Sequence, residues 1–159
     1  MTNTLNPNFM RTIRTTADDP RFTQLVKLLD RDLAIRDGED ADFYAQYNHV
    51  NFSFKVVLVI ENEIPFSCGA MKAFDENTME VKRMYTREAA RGKGFAQRIL
   101  SEIETWARAL NYQRLVLETG IHQPEAIALY KKYGFQIIDN YGQYAGVENS
   151  YCFEKSIVL

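Results

Sequence analysis

Apolar residues at Phe22, Leu25, Val26, Leu29 and Leu33 recur at three- and four-residue steps, the spacing that lines one face of an α-helix. Pro20 stands just ahead of them with Asp18 and Asp19 before it, which predicts a capped start. A second stripe, Phe95, Ile99, Ile103, Trp106 and Leu110, joined by Ala96, Leu100 and Ala107, predicts a longer amphipathic helix. A third, shorter helix opens at Pro124 and runs through Tyr133, with Gly134 at its stop. Elsewhere the period changes. Residues 55–60 form a β-branched apolar run, Glu61, Asn62 and Glu63 turn it into 64–74, and residues 75–78 turn again into 79–86, giving three consecutive antiparallel strands. Residues 10–16, 115–119, 135–138 and 151–158 read as further strands, and 36–42 with Phe43, Tyr44 and Tyr47 as a loop and short helix. Strands alternating with helices in the second half require at least one parallel pair. The expected class is therefore α/β, a mixed, mostly antiparallel central sheet flanked by helices.

Length and charge narrow the reading. A chain of 159 residues suits a single domain spanning 1–159, and folding at that size removes roughly 70% of the unfolded surface, so no staple is needed. Nineteen Lys and Arg against 21 Asp and Glu leave a net charge of -2, so no whole-molecule positive field holds nucleic acid or an anionic membrane. Cys68 and Cys152 are far apart and in no metal-ligand spacing, which suits a reduced compartment and argues against metal catalysis. Residues 1–14 lack a charged start followed by an apolar stretch, and no run approaches 18 apolar residues. A cytoplasmic protein is expected; a homodimer is left open.

The stretch Arg91, Gly92, Lys93, Gly94, Phe95 and Ala96 joins a strand to the long helix, where backbone N–H groups lack helical partners. Two glycines permit positive φ and close approach of a phosphate, and the helix N-terminus and two cations favour an anion such as pyrophosphate. The competing reading is a bare strand-to-helix turn. The nucleotide P-loop pattern is missing, and Gln97 stands where the dinucleotide motif needs a third glycine.

The segment from Glu80 to Ala96 resembles the acetyl-CoA-binding segment of the GNAT N-acetyltransferase superfamily, whose Arg/Gln-x-x-Gly-x-Gly/Ala pattern falls on Arg91, Gly94 and Ala96. A second family segment matches Ala126, Leu129, Tyr130, Gly134 and Phe135, and the likeness extends from about Lys55 to the C-terminus. One departure is Gln123, where many members carry Asn in contact with the pantetheine arm. The resemblance implies a GNAT fold using acetyl-CoA. Backbone groups of Met84 and Thr86 would pair with the pantetheine arm, and amides from Arg91, Gly92, Lys93, Gly94, Phe95 and Ala96 would hold the pyrophosphate. A backbone N–H near Met84 or Tyr85 would polarise the acetyl carbonyl, and Tyr130 would face the sulfur and protonate the departing thiolate. It further implies direct transfer, in a ternary complex, to a primary amine of a small molecule or peptide. A catalytically silent CoA-binding sensor or scaffold is the alternative, and an unrelated domain taking ATP or NAD is a third.

An alkyl amine has a pKa near 10, so a base is needed at neutral pH. Glu80 is the first candidate: alternation puts it on one face of its strand with Lys82 and Met84, although an exposed Glu80–Lys82 ion pair would explain it equally well. Its offset from Arg91 also resembles that of the catalytic glutamate in some members. Glu118 is the rival base, against a reading as an ordinary solvated strand end. His49 and His122 are assigned to surface or turn, and both cysteines to the core. The acidic run Asp37, Glu39, Asp40 and Asp42 with its aromatic neighbours lies in the region that forms the acceptor wall in this family. It would favour a cationic amine or else be a solvated loop, while Tyr141, Tyr144 and Tyr151 would line the acceptor pocket or only cover the sheet.

Overall fold

The computed structural model describes residues 9–46 and 53–159; Tyr47 and His49 lie outside the described residues. The chain runs β1 (Arg11–Thr16), α1 (Pro20–Asp37), α2 (Ala41–Ala45), β2 (Lys55–Glu61), β3 (Ile64–Ala73) and β4 (Thr78–Thr86). It continues through α3 (Phe95–Ala109), β5 (Arg114–Gly120), α4 (Pro124–Lys132), β6 (Gln136–Ile138) and β7 (Ser150–Ser156). The strands form one seven-stranded sheet in the order β1-β2-β3-β4-β5-β7-β6, antiparallel except for β4 beside β5. The expected mixed, mostly antiparallel α/β architecture is thus what the chain adopts.

Local chemistry explains the helix ends. Asp19 caps α1, its carboxylate accepting from the Arg21 amide at 2.9 Å, and the pairing with Arg21 pulls its pKa down to about 2. Helix α1 runs to Asp37, so the loop expected from residue 36 begins later, at Gly38 with φ 53; one 3-10 turn (Gly38–Asp40) then leads into α2. No breaker precedes Gly38, so helical hydrogen bonding continues up to it.

Strand β2 is buried on both faces and feeds two cores, as its continuous β-branched run requires. Val56, Leu58 and Ile60 pack with Phe22 and Leu25 of α1. Val57 and Val59 share the opposite face with Ile99 and Ile103 of α3. Cys68 and Cys152 are fully buried, and burial pushes their thiols up to about 12 and about 11. Among the described residues no helix is long and apolar enough to cross a membrane.

Candidate active site

Two irregularities of β4 create the site. Its parallel pairing with β5 covers only Thr78↔Arg114 through Glu80↔Val116. Beyond those residues, among the described residues, no strand pairs with the β5-facing edge of β4 as far as Thr86. On its other edge, β4 carries one extra residue: pairing passes from Ala70↔Lys82 to Cys68↔Tyr85, and Arg83 adopts φ 59. This bulge overturns the expected alternation. Glu80 and Lys82 stay on the α1 side, whereas Met84 packs on the α3 side, where a Cβ on Gly69 would come within 2.5 Å of both its Sδ and Ile99 Cγ2. Glycine at 69 is what lets that side chain lie flat over β3.

The opening leads to a cleft between the end of β4 and the start of α3. Met84, Tyr85 and Thr86 form one wall, and Arg91, Gly92 and Gly94 the loop above it. Phe95 and Ala96 of the first turn of α3 close the end, and Gln123 and Tyr130 belong to the α4 side. Lys93 is exposed and does not line the cleft. Gly94 is the N-cap of α3 in the left-handed conformation, with no side-chain cap and no acidic residue in the first turn, so neither a cap side chain nor a first-turn carboxylate satisfies those amides. A Cβ at Gly92 would meet nothing within 4 Å, so the space above the loop is open. These residues fit a pyrophosphate. Arg91 is anchored beside them, its Nε donating to the Thr86 carbonyl at 3.0 Å and its guanidinium lying 5.6 Å from the Tyr85 ring centre.

A second cavity lies on the α1 side and meets the cleft at Leu29, Met84, Gln123 and Tyr130, which line both. Three carboxylates, Asp37, Glu80 and Glu118, line it together with the cations Lys82 and Arg83. Glu80 is only 3% exposed, so neither a solvated end nor an exposed ion pair describes it. The Tyr141 hydroxyl donates to its Oε2 at 2.6 Å, and Lys72 and Lys82 ammonium groups each stand 3.8 Å from Oε1. Glu118 is set differently. Burial pushes its pKa up to about 7, with hydrogen bonds from Ser150 and Tyr144 and the charge of Lys82 opposing the shift and Asp37 adding to it. Its Oε1 is shielded from bulk water and has no hydrogen-bond partner. Ser150 Oγ in turn lies 2.8 Å from the Tyr44 hydroxyl.

Tyr130 is 6% exposed in the core, its ring edge-on to Phe135, yet it borders both cavities; burial pushes its phenol pKa above the usual range. The residue thus belongs to the core and to the walls of both cavities. Tyr144 lines the acidic cavity, Tyr141 reaches it only through Glu80, and Tyr151 sits exposed on β7. His122 is exposed in the turn before α4. Two contributors escaped the sequence: Arg83, buried and paired with Asp30, and Ser150. Neither carries a local signal, since a positive φ at arginine and a contact from a distant strand leave no pattern in the chain.

Comparison with known proteins follows the same lines. The family model of the acetyltransferase (GNAT) family matches residues 22–135. The IAA acetyltransferase of Azospirillum brasilense is 41% identical over 91 residues, which cover 57% of this chain and 60% of that protein. A Klebsiella pneumoniae structure assigned as an acyl-CoA N-acyltransferase superposes with a TM-score of 0.77 at 26% identity, over 94% of this chain and 98% of that one. A GNAT family acetyltransferase from Elizabethkingia anophelis, solved with acetyl-CoA bound, gives 0.66 at 21% identity, over 94% and 99%.

Proposed function

Since the chain belongs to the GNAT family of acetyltransferases, we propose that it is an acetyl-CoA-dependent N-acetyltransferase that acts on a primary amine by direct attack. The observation that carries this reading is the meeting of the two cavities at Met84 and Tyr130. One cavity offers a helix N-terminus without a side-chain cap beside the end of β4; the other offers the Glu118 carboxylate.

Bound acetyl-CoA supplies the activated acetyl group. The α3 amides with Gly92 and Gly94 hold its pyrophosphate, and the unpaired edge of β4 offers backbone groups to its amide-bearing arm. Lys93, outside the cleft, contributes charge at a distance. The amine enters from the acidic side. Its nitrogen forms the new C–N bond as the C–S bond breaks, its proton passing to the Glu118 carboxylate and the sulfur taking one from Tyr130. Glu118 fits the base better than Glu80 does, because Glu80 is held by the Tyr141 hydroxyl with two lysines alongside, while the Glu118 pKa lies near working pH. A thiol nucleophile is disfavoured, as Cys68 and Cys152 stay protonated.

Thiol release from acetyl-CoA, measured across a library of amines, tests the reading. Amine-dependent release matched by acetylated product is expected. CoA binding without transfer to any amine would turn the reading to the cofactor-binding scaffold.

A further inference from the structure

Helix α1 ends on Asp37, a carboxylate only 6% exposed at the negative end of an 18-residue helix. It makes no ion pair among the described residues, because neighbouring Arg36 turns to Asp32 and Glu125. Burial, with Asp40 adding to it against the pull of His122 and Arg36, pushes the Asp37 pKa up. A buried anion at a helix C-terminus with no counter-ion is disfavoured both by desolvation and by the helix dipole, so its place is not explained by stability. Its position between cavities gives a reason. Asp37 and Leu33 line the acidic cavity, and they also line a further pocket between α1 and α2. That pocket has apolar walls at Ala34, Ala41 and Ala45, carboxylates at Asp30 and Asp42, and no Lys or Arg in its lining. Lys82 and Arg83 also line the acidic cavity, where they pair with Glu80 and with Asp30 of the side pocket. Glu118 and Asp37 therefore line one cavity and Asp37 and Asp42 the next, with Leu33 shared between the two.

We propose that the acceptor is a linear alkyl diamine. One nitrogen lies beside Glu118 and receives the acetyl group, the methylenes pass Leu33, and the distal ammonium rests on Asp37 with Asp42 beyond it. The assignment rests on the N-acetyltransferase reading for what happens at the first nitrogen.

Calorimetric titration of the CoA-saturated protein with 1,4-diaminobutane, 1,5-diaminopentane and n-butylamine tests the proposal without relying on turnover. The wild type should bind one of the diamines at least about 10-fold more tightly than n-butylamine, corresponding to about 1.4 kcal/mol. Asp37→Asn, which removes a strained charge and should fold, should erase that preference and leave n-butylamine affinity unchanged. Ala34→Trp, which fills the side pocket, should do the same. Equal affinities in the wild type, a preference that survives Asp37→Asn, or no binding of any of the three overturns the proposal. Thiol release followed in parallel separates the two readings: selective diamine binding without release sinks the transferase, and equal transfer to monoamine and diamine sinks the diamine alone.

Discussion

The Tyr141 hydroxyl donates to Glu80 Oε2 at 2.6 Å, joining a loop near the C-terminal strand to the centre of the sheet. Lys72 and Lys82 stand 3.8 Å from the other oxygen, so Glu80 sits in a charged cluster. Glu118, on the next strand, has one buried oxygen without a partner, and burial pushes its pKa up to about 7. Two carboxylates on one wall thus have different surroundings, one ion-paired and one desolvated.

Glu118→Gln should lower acetyl transfer by roughly 10²- to 10⁴-fold and remove the limb of the rate profile that rises with pH through about 7 in the wild type. The increase in melting temperature produced by acetyl-CoA should persist. Glu80→Gln should retain that limb while reducing the rate through a displaced Lys82. Loss of the limb in Glu80→Gln, with Glu118→Gln unaffected, would return the base to β4.

The same group predicts a stability effect. Because the folded-state pKa of Glu118 is raised from 4.5 to about 7, the protonated form is favoured by folding; this contribution is complete below pH 4.5 and is lost as pH rises to about 7. Glu118→Gln escapes the cost of an ionised buried carboxylate. Its stability relative to wild type should therefore grow between pH 5 and pH 8 by on the order of 1–3 kcal/mol, read from urea unfolding at the two values. A constant difference would show that Glu118 ionises as freely in the fold as in the unfolded chain.

The hairpin strands and α3 were legible because each keeps one period: the stripe from Phe95 to Ala107 has a single buried side, and β2 is apolar at every interior position. The lining of the cleft at the start of α3 was legible as well, since most of it comes from two short stretches, Met84 to Thr86 and Arg91 to Ala96 without Lys93. The second cavity was not. Asp37 looks like part of an acidic loop until the helix is seen to continue up to Gly38, and the hydrogen-bond partners of Glu118, Ser150 and Tyr144, lie far along the chain. Alternation failed at Met84 because Arg83 takes a conformation that no sequence pattern marks.

Gly94→Val tests the anion loop. A Cβ there would meet only Gln97 Oε1, at 3.8 Å, so space permits it, but φ 82 is strained for a branched residue. The protein should remain folded with a stability loss of about 1–2 kcal/mol, and the acetyl-CoA-induced increase in melting temperature should disappear. A folded Gly94→Val protein that keeps the full increase would remove the loop from the binding site.

Tyr130 separates chemistry from packing most sharply, because its ring is held in the core by Phe135 and Phe153 while the residue borders both cavities. Tyr130→Phe keeps those ring contacts and removes only the hydroxyl. Burial keeps this phenol protonated throughout the working range, and the same burial makes a thiolate leaving beside it harder to form, so the proton matters most when the leaving group is poor. Single-turnover transfer from acetyl-CoA should fall by roughly 10²-fold in Tyr130→Phe. Transfer from an acetyl thioester of a low-pKa thiol should fall much less, since a stabler thiolate needs less protonation. An equal defect with both donors would mean that the hydroxyl positions the thioester and that the sulfur leaves without its proton.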